Sequence, residues 1–339
     1  MSPSSRRPSG LQITVVDVAR AAGVSTMTVS RAINHPDSLR ADTLARVKAA
    51  MAATGYVPNR LANGLRMGRS RLVAALVPTL SGPIFLPTIE MLTSALAAQG
   101  YQLMVGQTGY SEAREEELLD QILARRPDGI VLTGVMHSAA ARRKVLAAGI
   151  PVVETWDLVP EPIDTLVGFS HEAVGAAVAR FLVAERGRRR LAVIGGDDAR
   201  SLRRARAFAA QAESLGATVA APCLVPAPAQ LGAGRSGLRA LLERAPAVDG
   251  ILCSSDMLAL GVLIEAQARG VAVPGQMAVV GFGDLALAQD TEPALTTVRI
   301  DGQRIGELTA ALLLQRMQDE PLASAVHDVG FAIVARGSA

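Results

Sequence analysis

The chain has 339 residues, 50% of them apolar and 19% charged, which suffices for two sizeable cores plus a smaller module and excludes intrinsic disorder. Its net charge of +3 is unevenly placed: residues 1–70 carry ten Arg or Lys against Asp17, Asp37 and Asp42, or +7, leaving 24 basic against 28 acidic side chains, or −4, in the rest. A compact basic head on a mildly acidic body directs the head at a polyanion. Two cysteines, Cys223 and Cys253, are too few for a disulfide framework and fit a reducing compartment. The N-terminal segment has charge but no apolar run behind it, and later apolar runs are too short to span a bilayer, so a cytoplasmic protein with no membrane partner is expected.

Val15, Val18, Ala19 and Ala22 recur at the spacing of one helical face, with Thr14 placed to cap the start and Gly23 to end the helix. Ser25 can cap a second helix through Ile33, broken by Asn34, His35 and Pro36, and a third stripe (Leu44, Val47, Met51) runs to Gly55. Two short helices joined by a tight glycine turn read as a helix-turn-helix. Its second helix would enter the major groove with Thr26, Met27, Thr28, Ser30 and Arg31 near its start. Arg31 suits a bidentate bond to guanine, Met27 and the threonine methyls suit a thymine methyl, and Thr28 or Ser30 could equally serve phosphate. A small structural helical bundle shows the same apolar stripes.

The run VVDVARAAGVSTMTVSRAIN, followed by GYVPNRLANGL, resembles the head and hinge of the lactose-repressor (LacI-type) family of bacterial transcription regulators. The resemblance implies DNA contacts from Thr14, Ser25, Asn34 and Tyr56 as well. It also implies a hinge helix that forms on operator DNA and inserts Leu65 into the minor groove, with Asn59, Arg60, Ala62 and Asn63 beside it. Physics supports the coupling: an isolated helix needs about 12–15 residues to hold in water, and residues 59–66 fall short of that. Gly64 costs about 0.5–1 kcal/mol more relative to alanine. An inserted apolar wedge unstacks a base step and bends the duplex.

Beyond Ser70, ten short β-branched runs alternate with helical stripes, from LVAALVP to TTVRI, as parallel sheets covered by helices require. The expected fold is α/β: a helix-turn-helix head (residues 12–58), a hinge (59–70) and a two-lobed body with parallel sheets (71–339). The resemblance implies that this body is periplasmic-binding-protein-like. Lobe 1 is assigned about 71–163 plus 294–325, and lobe 2 about 164–293 plus the C-terminal strand. Open α/β sheets bind ligands beyond the C-terminal ends of their strands, which places the facing loops at 79–85, 106–110, 133–137, 154–157, 169–171, 195–204, 254–256 and 282–284.

Within the family, the runs PVVETWD and LTGVMH look most like the gluconate repressors, so a sugar or sugar-acid effector is implied. Arg200 and Arg204, four apart on one helical face, can hold a carboxylate bidentately, although RSLRRAR could equally form a solvated basic face. Asp157, Ser255 and Asp256 could bond sugar hydroxyls, and Asp256 could alternatively cap its helix. Phe85, Trp156 and Phe169 could stack on a ring, Tyr110 in the 106–110 loop is a further expected effector contact, and His137 matches the gluconate-like pattern. Many family members carry aspartate directly after the GF of the late strand. Here Gly283 stands there and Asp284 follows, so that contact is either missing or supplied by Asp284.

An enzyme is weighed and set aside. VVGFGDLA has Gly281, Gly283 and Ala286 in a dinucleotide-binding spacing with Asp301 downstream, but the intervening stretch is too short and Pro293-broken for a crossover helix. The four histidines and two cysteines lack metal or nucleophile spacing, and no nucleophile elbow or Walker loop occurs. No catalytic residue, metal or cofactor is therefore expected. The reading is a homodimeric repressor of carbohydrate-catabolic genes, released from a pseudo-palindromic operator by a gluconate-like effector. The alternatives are a corepressor-dependent regulator and a cytosolic sugar-binding protein.

Overall fold

The structure is a computed structural model describing residues 13–57, 69–135 and 137–339. The chain divides into two units, residues 1–70 and 71–339. In the first, α1 (Val15–Ala22), α2 (Thr26–Asn34) and α3 (Ala41–Thr54) close over Val18, Ala19, Ala22, Val29, Ala32, Val47 and Ala50. The N–H and hydroxyl of Thr14 both donate to Asp17, at 2.9 and 2.8 Å, satisfying the exposed start of α1. Gly23 then turns the chain with φ +64°. The second helix runs one residue past Ile33 before His35 and Pro36 stop it.

The second unit holds two sheets. The first comprises β1 (Leu72–Val77), β2 (Gln102–Gln107), β3 (Gly129–Thr133), β4 (Val152–Thr155), β5 (Thr165–Gly168) and β12 (Val326–Asp328), in the spatial order β12-β5-β4-β3-β1-β2, all parallel. The second comprises β6 (Arg190–Gly196), β7 (Thr218–Val219), β8 (Cys223–Val225), β9 (Gly250–Cys253), β10 (Ala278–Phe282), β11 (Thr296–Arg299) and β13 (Ala332–Val334). Its order is β13-β11-β10-β9-β6-β7, with β8 also pairing β6 and only β13 antiparallel. Central strands such as β4, β9 and β10 are buried along their whole length, which is why they read as continuous apolar runs. All ten expected runs are strands, and the architecture is the α/β one expected. Strands β8 and β12 were not anticipated.

The lobe boundaries differ from expectation. The polar stretch at 161–164 is a surface connection inside the first lobe, tied down by Ile163 N–H donating to Glu154 and Val152 N–H donating to Asp164. After it, β5 continues the first sheet, with Val153 opposite Thr165. Strand β11 lies in the second sheet against β10, so the chain recrosses after Arg299 rather than Pro293. The helix Gly302–Arg316 then packs on the first lobe, against the helix Leu86–Ala98, β4 and β5. The third crossing separates β12 from β13. Between β10 and β11 only a single 3-10 turn, Ala286–Ala288, intervenes, so the glycine spacing there has no helix to present to a pyrophosphate.

One close approach positions the cleft. The helix His171–Arg180 packs against the helix Ala199–Ser214, and a Cβ on Gly175 would sit 2.2 Å from the Arg204 carbonyl oxygen. Only glycine admits that contact, and it brings the starts of both helices together.

Candidate functional site

In the head, Ser25 caps α2 by accepting from the Thr28 N–H at 3.2 Å, and its hydroxyl also meets the Thr28 hydroxyl at 2.9 Å. Thr26, Met27 and Arg31 are exposed, with Met27 at 65%, and an Arg31 Nη lies 4.0 Å from the Met27 sulfur. Ser30 accepts from Asn34 at 3.3 Å. These two and Thr28 are half-buried, while Tyr56 packs on the head core. Thr14 spends its hydroxyl on Asp17 and holds that carboxyl below the usual range, first through its backbone N–H. Asn59, Arg60, Ala62, Asn63 and Leu65 lie outside the described residues.

In the body, the ends of β1, β4, β6, β9 and β10 surround a cavity of about 100 Å³. Phe85, Trp156, His171, Arg200, Arg204, Ser255, Asp256 and Phe282 line it. An adjoining chamber of about 240 Å³ is lined by Glu115, Gly134, His137 and Asp157. Tyr110, Asp198 and Arg200 border both. Of the eleven expected residues, Phe85, Tyr110, Trp156, Arg200, Arg204, Ser255 and Asp256 therefore line the first cavity, and Asp157 and His137 line the second alone.

The cavity is organised around Arg204, which is 5% exposed. One Nη donates to His171 Nδ1 at 2.9 Å, the other to the Ser254 carbonyl at 3.1 Å and the Ser201 hydroxyl at 3.3 Å. The guanidinium lies 4.0 Å above the Phe282 ring, and its Nε is buried without a partner. Burial pulls its pKa down to about 10. Arg200 faces Phe85 and Tyr110 at 5.6 and 5.8 Å. Burial would raise the Asp198 carboxyl, but Arg200 and the Ser201 hydrogen bonds hold it below its usual range.

Other expected residues are engaged elsewhere. Phe169 is fully buried, edge-on to Trp156 and His171, and does not reach the cavity. Asp157 is clamped by Arg203 at 2.8 and 2.9 Å, and Arg203 also holds Glu172. Asp284 is turned to Arg299 and Arg336, at 2.5 and 2.6 Å, so it does not replace the aspartate absent at Gly283. Ser255, not Asp256, caps the helix Asp256–Ala268. Asp256 instead accepts from Thr297 at 2.5 Å and Leu285 N–H at 2.7 Å. A Cβ on Gly281 would collide with it at 2.2 Å, which explains one of the two glycines of the dinucleotide-like spacing. Burial raises the Asp256 carboxyl to about 6.

His137 donates from Nδ1 to Glu115 at 2.8 Å and from Nε2 to the Gly134 carbonyl at 3.0 Å. Both partners are acceptors, an arrangement that favours the protonated ring. Burial opposes that charge, but Glu115 and Glu154 outweigh it and raise its pKa. His171, Ser201, Asp198 and Arg203 were missed as site residues; the signal available was their place in the strand-end loops. Among the described residues no group of His, Cys, Asp and Glu is arranged to hold a metal ion, and no helix is long and apolar enough to cross a membrane.

Comparison with known proteins gives the following. Residues 14–59 match the model described as bacterial regulatory proteins, lacI family, and residues 180–339 that of a periplasmic binding protein-like domain. The HTH-type transcriptional regulator GntR of Pseudomonas aeruginosa is 38% identical over 327 residues, 96% of this chain and 95% of that protein. Its Escherichia coli counterpart of the same name is 32% identical over 323 residues, covering 95% and 97%. A crystal structure of a LacI-family transcriptional regulator from Silicibacter pomeroyi superposes with a TM-score of 0.90 at 33% identity, covering 96% of this chain and 99% of that one.

Proposed function

The chain belongs to the lacI family of bacterial regulatory proteins and is a DNA-binding transcription regulator, not an enzyme; on that premise we propose that it is a cytoplasmic repressor of sugar-acid catabolic genes, released from its operator by a gluconate-like effector. It acts as a homodimer that sets two copies of α2 on the half-sites of a pseudo-palindrome. Thr26, Met27 and Arg31 read base edges. Thr14, Ser25, Thr28, Ser30, Asn34 and Tyr56 place the head on the backbone, and the hinge residues 59–65 act at the centre.

One observation carries the effector reading. Arg204 is a buried cation that forms no ion pair with any described carboxylate. Burying an unpaired charge is costly, so an anion entering the cavity is attracted strongly there. Arg200, at the same cavity's edge, adds a second positive charge, and Tyr110, Asp198, Ser255 and Asp256 offer polar atoms to hydroxyls. Carboxylate plus polyol is the chemistry of a sugar acid.

Trp156, the chain's single tryptophan, lines the cavity and reports on it. Titration with gluconate should change its fluorescence saturably, while the neutral polyol glucitol leaves it unchanged at the same concentrations. Equal responses to both, or no response with no heat of binding, contradict the sugar-acid assignment.

A further inference from the structure

We propose that His171 is a positioning residue that sets the charge selectivity of the cleft, by giving Arg204 a hydrogen-bond acceptor that carries no charge. This rests on the reading of the cleft as an anion site. Buried arginines are ordinarily matched to a carboxylate. Every direct partner of Arg204 is neutral: an imidazole, a carbonyl, a hydroxyl and the Phe282 ring.

The imidazole's state follows from its partners. A guanidinium only donates, so Nδ1 of His171 accepts; the proton is on Nε2, which donates to the Trp156 carbonyl at 3.1 Å. The ring is 2% exposed and packed edge-on to Phe169, with Phe282 tilted against it. The charged groups that act on it are Arg204, Arg200 and Arg203, and after burial itself these keep it neutral.

Carboxylates are close, but none bonds Arg204 directly. Asp157 and Glu172, the residue next to His171, are both taken by Arg203, and Asp198 accepts from the Ser201 N–H and hydroxyl. Asp198 reaches Arg204 only through the Ser201 hydroxyl and acts on its charge at longer range, so Arg204 has no directly bonded counterion, and a ligand carboxylate or phosphate can take that place. A glutamate at 171 would supply one from within.

The test compares His171→Glu with His171→Gln in the full chain, since the two substituents match in size and differ in charge. Each is titrated calorimetrically with gluconate, inorganic phosphate and glucitol, and thermal midpoints are taken without ligand at pH 7 and pH 4. His171→Gln should keep anion affinity within about threefold, and His171→Glu should lose about tenfold or more, the scale of one charge-assisted hydrogen bond. Without ligand, His171→Glu should be at least as stable as His171→Gln at pH 7, and the margin should be smaller at pH 4, because the stabilisation of a carboxylate paired with Arg204 is lost as pH falls through and below the ordinary glutamate range. Equal losses of affinity, or a glutamate variant that fails to fold where the glutamine variant folds, overturn the proposal. If the wild-type chain binds no sugar acid but the ligand-free difference between the variants appears, the gluconate reading falls and the role of His171 stands.

Discussion

Replacing Arg204 by methionine separates what the cleft does for the fold from what it does for a ligand. The substitution removes a buried cation whose desolvation costs several kcal/mol and leaves the acceptors His171 Nδ1 and the Ser254 carbonyl unmatched, at about 1–3 kcal/mol each. These effects oppose one another, so the ligand-free stability should move by no more than about 2 kcal/mol, or roughly 4–8 °C in thermal midpoint. Binding has no such compensation. Losing charge-assisted bonds worth about 1.5–3 kcal/mol weakens a sugar acid by about 10–150-fold. At a gluconate concentration of about 100 times the wild-type Kd, the wild-type chain gains about 2.7 kcal/mol, or roughly 5–10 °C. A variant weakened about 100-fold gains only about 0.4 kcal/mol, near 1 °C. Differential scanning calorimetry with and without gluconate reads both quantities. A variant that loses far more than this stability yet keeps the full gluconate shift would show that Arg204 serves the fold alone.

Three further predictions rest on other residues. Asp256 has its carboxyl raised from 3.8 to about 6 by burial, so its contribution to stability is lost as pH rises between those values; Asp256→Asn should therefore gain up to about 3 kcal/mol relative to wild type on going from pH 4 to pH 7.5, and urea denaturation showing the opposite slope would refute this. For His137, whose folded pKa is raised by Glu115 and Glu154 against burial, the contribution is full below the ordinary histidine value and fades as pH rises through the folded one. His137→Gln should accordingly cost about 1–3 kcal/mol at pH 6 and less at pH 9; a cost that grows with pH would contradict the imidazolium assignment. Leu65→Ala should weaken operator affinity while leaving gluconate binding unchanged, as gel-shift and calorimetric titrations would show, and unaltered operator affinity would remove the wedge.

Much of this architecture was legible because local rules decide it. The head announces itself through capping residues and apolar stripes, and Thr14, Gly23 and Ser25 each perform the terminating task that their chemistry favours. The body strands stand out as short β-branched runs because both their faces are buried. The lobe boundary was not legible, since the polar residues 161–164 signal a turn whether the next strand joins the same sheet or another. In the cleft, the four-residue spacing of Arg200 and Arg204 correctly put both on one cavity. Arg203 between them looks the same in sequence, and only the fold turns it to Asp157 and Glu172. His171 was hidden for the same reason: in sequence it is one more residue of the 169–171 loop, and its bond to Arg204 forms where Gly175 lets two distant helices meet. Asp284 marks the converse error, because adjacency to the cleft strand said nothing about Arg299 and Arg336 claiming its carboxylate.

The central claim is that the cleft and the head are thermodynamically coupled, and a coupling of about 1–3 kcal/mol alters operator affinity by about 5–150-fold. The direct measurement is binding of the purified full chain to DNA from its own upstream region, at one fixed salt concentration because phosphate contacts make affinity steeply salt-dependent, with gluconate, with glucitol and with neither. The account predicts specific binding that gluconate weakens within that range and glucitol leaves unchanged. Specific binding that gluconate strengthens, or that no sugar acid alters, would contradict it.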